Sequence, residues 1–134
     1  LLQGKILVDV TVPLMPPKVD YVHLPPGGAA GLEAQEILGP DVRVVSAFQN
    51  ISAVHLRDPD RNIDCDVLIC GNDTTACEEV ITLVEAAGMS GLHAGSLVNA
   101  IAIESLTPVL ISLNKHYRIE DAGIRVTGIS RSEK

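Results

Sequence analysis

Lys5-Ile6-Leu7-Val8-Asp9-Val10, closed by Val12-Pro13-Leu14-Met15-Pro16-Pro17, decides the fold. The first run is apolar and β-branched and is interrupted only by Asp9, the pattern of a strand buried on both faces of a parallel sheet. The prolines end it, because proline cannot donate to a ladder. Pro25-Pro26-Gly27-Gly28 then marks a loop, Ala29 to Leu38 a helix, and Gly39-Pro40 its stop. Val42 to Phe48 is a second buried strand, so the unit is strand–helix–strand, for which a right-handed crossover between parallel strands is the rule.

Further along, Gln49 to Asp64 has no helical period. Val67 to Cys70 reads as a third strand, closed by Gly71-Asn72-Asp73, and a connection without a helix leaves it free to run antiparallel at the sheet edge. Thr75-Ala76-Cys77-Glu78 has the form of a capping box. Val80, Ile81, Val84 and Ala87 follow at helical spacing, with Gly88 as the stop. Gly91 to Gly95 is a short loop or strand. Ser96 or Leu97 opens a long helix to about His116, apolar around much of its circumference and expected to be mostly buried. Gly123 to Gly128 reads as a short strand or extended tail, and Ser130 to Lys134 as a frayed end. The expected class is α/β: three late strands of a partial Rossmann-like sheet over residues 1–72, then a small helical region over 73–134.

Composition bounds the function. With 134 residues the chain makes one core-bearing domain, and a net charge of −7 with 2% aromatic residues argues against nucleic acid, which needs Lys, Arg and stacking rings. No apolar run nears the roughly 20 residues of a membrane span, so no membrane is expected. Three cysteines (Cys65, Cys70, Cys77) match no zinc spacing; they read as core thiols of a reducing, cytoplasmic compartment. The four histidines form no pair, and no metal is expected. Leu1 stands where a methionine would open a gene product, so the chain reads as a piece of something longer.

Open α/β sheets bind ligands beyond the carboxyl ends of their parallel strands. The Val10–Pro13 and Phe48–Ser52 loops would share one such edge. No G-x-G-x-x-G or P-loop is present, and Gly27-Gly28-Ala29-Ala30-Gly31 follows a proline-rich loop rather than a strand end. The run Ile103-Glu104-Ser105-Leu106-Thr107-Pro108 sets a carboxylate, two hydroxyls and a proline inside an apolar helix, at a cost of roughly 3 kcal/mol for the proline. It reads either as a kinked core helix with Thr107 bonded to its own backbone or as a pocket wall. Glu104 is a candidate proton donor, or a solvated or backbone-bonded carboxylate.

In order and spacing these pieces resemble the C-terminal part of the NADPH:coenzyme F420 reductases. Gly4-Lys5-Ile6-Leu7-Val8-Asp9 with Val12-Pro13-Leu14, Arg43 to Ile51, Asp66 to Asp73, and Ala94-Gly95-Ser96-Leu97 with Glu104 to Pro108 carry the likeness. It departs at Gln49, Ser52, His93 and Ser96, where the family commonly has His or Asn, Pro, Asp and Pro. The resemblance implies hydride exchange between NADP(H) and the deazaflavin coenzyme F420, without metal and with no side chain doing covalent chemistry. It also implies that the glycine-rich dinucleotide half, and with it most of the NADP site, is missing here. By the same resemblance Gln49, Asn50 and Ile51 face the ring system, and Ser105 and Thr107 orient it. Val12 and Pro13 lie near both rings, and Gly123 and Ile124 close the pocket. Ser105 and Thr107 sit about 200° apart on an ideal helix, so both reach one ligand only if Pro108 bends it. A homodimer is expected. The competing reading is a non-catalytic half-domain that binds a small ligand or dimerises.

Overall fold

β1 (Ile6–Asp9) and β2 (Arg43–Ser46) pair in parallel, with Ile6 opposite Arg43 and Asp9 opposite Ser46. α1 (Ala30–Leu38) makes the crossover between them. The computed structural model describes residues 1–130; residues 131–134 of the stretch expected to fray lie outside that range. β3 (Asp66–Gly71) runs antiparallel to β2, with Val45 opposite Gly71. It is not at the edge, as the sequence suggested. β4 (Ser90–His93) pairs with it in parallel and makes the sheet four strands, in the order β1-β2-β3-β4, where three were expected.

Both faces of the sheet are covered, which explains the unbroken apolar runs. Val45, Ala47, Val67 and Ile69 face α3 (Thr74–Ala86) through Ala76, Cys77, Val80 and Val84. Val42, Val44 and Cys70 face the other way, onto Ala29, Leu97, Ala100 and Ile103. Those last residues belong to the start of α1, a 3-10 turn (Leu97–Asn99) and α4 (Ala100–Tyr117). A short α2 (Ala53–Leu56) interrupts the stretch read as non-helical.

Two local expectations are corrected. The cap of α3 is Asp73, whose carboxylate accepts from Ala76 N at 2.8 Å, two residues before the Thr75 capping box. α4 is not mostly buried either. By length and composition Leu97–Tyr117 is apolar enough to cross a membrane, contrary to the expectation that no run came near that length, yet only 33% of its most apolar window is buried. Ile103, Glu104, Pro108 and Leu110 face inward, while Val98, Val109, Leu113 and Tyr117 are open to solvent. The tail from Gly123 is extended and forms no strand.

Candidate functional site

The parallel pairing of β1 and β2 brings the loops after Asp9 and after Ser46 to one edge of the sheet, and antiparallel β3 begins at that same edge. The β2 loop turns at Phe48, whose φ of 72° is a left-handed conformation that costs a bulky residue roughly 1–2 kcal/mol. The turn sends the next two side chains inward. Gln49 Nε2 donates to Asp9 O and Ser46 Oγ, both at 2.8 Å, and Asn50 Nδ2 donates to Asp66 O at 2.6 Å. Gln49 and Asn50 thus bind three strand ends together, as buried amides must be used. Among the described residues, Gln49 Oε1 is the buried side-chain polar atom left without a partner.

α4 closes the site from one face of the sheet. Its Glu104 is buried, and its two carboxylate oxygens accept from Ala30 N at 2.7 Å and Gly31 N at 3.1 Å. The residue at the start of α1, Ala29, has no side chain that can cap. A carboxylate from far along the chain fills that place and meets the positive end of the helix dipole. Burial pushes the Glu104 carboxyl above its ordinary range; the two amide donors oppose the shift, and Asp9 and Glu33 add to it. Gly27 N is likewise taken by Glu33. The amides of Gly27, Ala30 and Gly31 therefore serve carboxylates of this chain, and Gly28 N donates to Pro25 O at 2.9 Å.

Thr107 does not bond its own helix. Its hydroxyl donates to Gln49 O at 2.5 Å and joins α4 to the β2 loop. Ser105 donates to Ile101 O at 2.6 Å within α4. The two hydroxyls point to different partners, in keeping with their angular separation.

A cleft of about 260 Å³ lies between the β2 loop, α4 and the C-terminal tail. Gln49, Asn50, Ile51 and Thr107 line it, with Leu110 and Ile111 as apolar walls. A polar chamber of about 270 Å³ continues from it past Asn50, Ile51 and Ser52 and includes Gly123. Val12, Pro13, Ser105 and Ile124 line neither space. Ile124 O accepts from Asp66 N at 2.7 Å, and Ala122 N donates to Asn114 Oδ1 at 2.9 Å, so the tail is pinned across the mouth. An apolar hollow of about 430 Å³, lined by Val10, Phe48, Ile51, Ala53, Leu56 and Leu83, opens beside the same loop.

Sequence reasoning missed Leu110, Ile111, Asn114 and His55 as lining residues. The first three stand three, four and seven positions after Thr107, on one helix face, so that face could have been extended from Thr107. His55 sits on a four-residue helix, too short to show a period. The three cysteines are buried and free, and among the described residues no group of His, Cys, Asp and Glu could hold a metal.

No protein-family model matches the chain. An F420-dependent NADP reductase of Methanocaldococcus jannaschii is 39% identical over 132 residues, and one of Methanothermobacter marburgensis is 40% identical over 133. Each match takes in 96% of this chain and 59% of the relative. A solved structure from Arthrobacter sp. FB24, assigned to the F420-dependent NADP reductases, superposes with a TM-score of 0.78 at 30% identity, over 94% of this chain and 59% of that one. The chain thus spans about three fifths of the length of the relatives it matches.

Proposed function

We propose that this chain, a homologue of the F420-dependent NADP reductases over about three fifths of their length, supplies the deazaflavin side of an oxidoreductase that moves hydride between NADP(H) and coenzyme F420. The observation that carries the reading is the cleft between the β2 loop and α4. It gathers Gln49, Asn50, Ile51 and Thr107, which the family resemblance had named, from two distant parts of the chain. Its chemistry fits a flat ring: Ile51, Leu110 and Ile111 offer apolar faces, and Asn114 and Ser52 offer polar rims. Gly123 and the pinned tail narrow the entrance. Val12 and Pro13 stand on the neighbouring loop of the same sheet edge, where a second ring would approach, and Ile124 acts through its backbone contact with β3.

The coenzymes supply the hydride donor and acceptor, and the protein's part is positional. Thr107 fixes the β2 loop against α4, so the apolar walls keep their spacing. Gln49 and Asn50 hold that loop to the strand ends, and Ser105 steadies the helix beneath Thr107. Glu104 fastens the same helix to α1 as an acceptor of two amide protons. That engagement leaves no proton-donor role to it. With the α1 amides occupied, a dinucleotide pyrophosphate has no cradle there. The NADP site belongs to the dinucleotide-binding part of the family, for which β1, one of the two edge strands of the sheet, offers a place to pair.

A second reading, dimerisation, draws on the outer face of α4. Val98, Ala102, Leu106, Val109, Leu113 and Tyr117 recur at spacings of three and four, as in a helix–helix seam. The two readings are compatible in a homodimeric enzyme.

Replacement of Thr107 tests the first reading. Thr107→Val keeps shape but removes the hydroxyl, and loss of one buried hydrogen bond predicts about tenfold weaker coenzyme F420 binding. Ser105→Ala should stay within about twofold, because its bond lies within α4. Equal affinities for Thr107→Val and the unaltered chain would overturn the assignment of the cleft.

A further inference from the structure

The cleft is too small by itself. At about 260 Å³ it lies below the roughly 300–1,000 Å³ of small-molecule sites, and a fused ring system with substituents needs more room. The polar chamber behind Asn50, Ile51 and Ser52, with Asp121 and Ala122 common to both spaces, is the continuous extension. A ligand seated against Thr107 and Ile51 must project part of itself into that chamber.

His55 gives the chamber its one unengaged ring. The residue is 9% exposed, lines the space, and its imidazole makes no hydrogen bond to any described residue. A neutral imidazole always carries one donor and one acceptor, and with Gln49 Oε1 the enclosed polar atom left without a partner, the His55 ring nitrogens are instead open to the chamber, where a ligand can meet them. Its neighbours are already engaged. Asn50 spends its amide on Asp66 O and Leu68 N, and Asp64 is paired with Arg125. Arg61 stands at the rim, 3.7 Å from Asp121, with both side chains substantially exposed. Gly123 forms part of the wall; a Cβ there would lie 2.9 Å from Cys65 Cβ, so the wall tolerates no larger residue.

We propose that this chamber is a second subsite of the ring cleft, in which His55 hydrogen-bonds an oxygen substituent, a hydroxyl or an anionic oxygen, carried by the bound ring ligand, with Arg61 as the outer polar contact. Nothing in the resemblance singled out His55. The inference rests on the cleft reading above and extends it to a further contact residue.

The test uses the 134-residue chain and coenzyme F420, whose fluorescence reports binding. His55→Leu should weaken binding about tenfold at unchanged thermal midpoint, and His55→Gln, which keeps a donor and an acceptor, should restore most of it. Should His55→Leu fail to fold, the unaltered chain is labelled with nitrogen-15 histidine and titrated. The His55 ring resonances should then shift on saturation while those of exposed His23, His93 and His116 stay fixed. Wild-type affinity in a folded His55→Leu chain, or static His55 resonances at saturation, would overturn the subsite and leave the cleft reading intact. No binding by the unaltered chain would overturn both.

Discussion

Glu104 ties α4 to the start of α1 through its two carboxylate oxygens. In the sequence it stood out as a carboxylate in an apolar helix four residues before a proline, with bonding to backbone among its expected roles, and the structure shows that role. Its partners, Ala30 N and Gly31 N, are more than 70 residues away, and no local pattern reports a cap supplied from that distance. Removal of the carboxylate strands two buried donors, so Glu104→Ala should lower unfolding free energy by about 3 kcal/mol, measured by urea denaturation. Titration of the same group carries a definite sign. Its carboxyl is raised above the ordinary 4.5 in the folded chain, so the folded state holds the proton longer. Its contribution relative to Glu104→Gln is therefore full below pH 4.5 and lost as pH rises through the raised value. A difference that grew with pH would contradict this environment for Glu104. The cysteines read correctly as core residues, and burial pushes the Cys65 and Cys70 thiols up to about 11, with Cys77 also raised. In the native chain at pH 8 none of the three should react with iodoacetamide, while all three should react in denaturant, as counted by intact mass.

Among the elements, β1 and β2 announced themselves because burial on both faces writes an unbroken apolar run. β4 did not. Ser90-Gly91-Leu92-His93 has neither alternation nor β-branching, and its strand state follows from pairing with β3. Gly91 is there because a Cβ would sit 3.0 Å from Ile69 Cδ1 and 3.3 Å from Ile81 Cα, where α3 crosses close. The start of α3 misled in another way: Thr75 fits a capping box, yet Asp73 comes first and its carboxylate accepts from Ala76 N. For α4 the composition was read correctly and its consequence was not. A helix apolar all round is buried only if something covers each side, and among the described residues only one side is covered. If the outer stripe packs against a second copy, sedimentation equilibrium should give a dimer for the unaltered chain and a monomer for Leu113→Glu, with similar circular dichroism for both. Leu113 is 39% exposed, so the charge harms no core contact. A monomer at about 100 μM, an ordinary protein concentration for weak association, would rule out the seam.

Across the whole molecule, the site arises from topology more than from any motif. Parallel β1 and β2 carry two loops to one edge, antiparallel β3 brings a third segment there, and α4 and the tail roof the result. From the sequence, the edge and five residues that line the cleft or its chamber (Gln49, Asn50, Ile51, Thr107 and Gly123) could be named; Val12, Pro13, Ser105 and Ile124 could not be separated from them, since lining depends on which way each backbone turns. Gly27 to Gly31 read as a poor phosphate loop because no strand end precedes it, and in the structure the Gly27, Ala30 and Gly31 amides are taken by Glu33 and Glu104. On the proposed reading, the described residues form a ring-binding cleft and no pyrophosphate cradle. Parallel titrations of the 134-residue chain with coenzyme F420, followed by its fluorescence, and with NADP, followed by calorimetry, test that assignment most directly. The account predicts saturable one-to-one binding of coenzyme F420 and no measurable heat with NADP. Absence of coenzyme F420 binding, or NADP binding of equal strength, would contradict it.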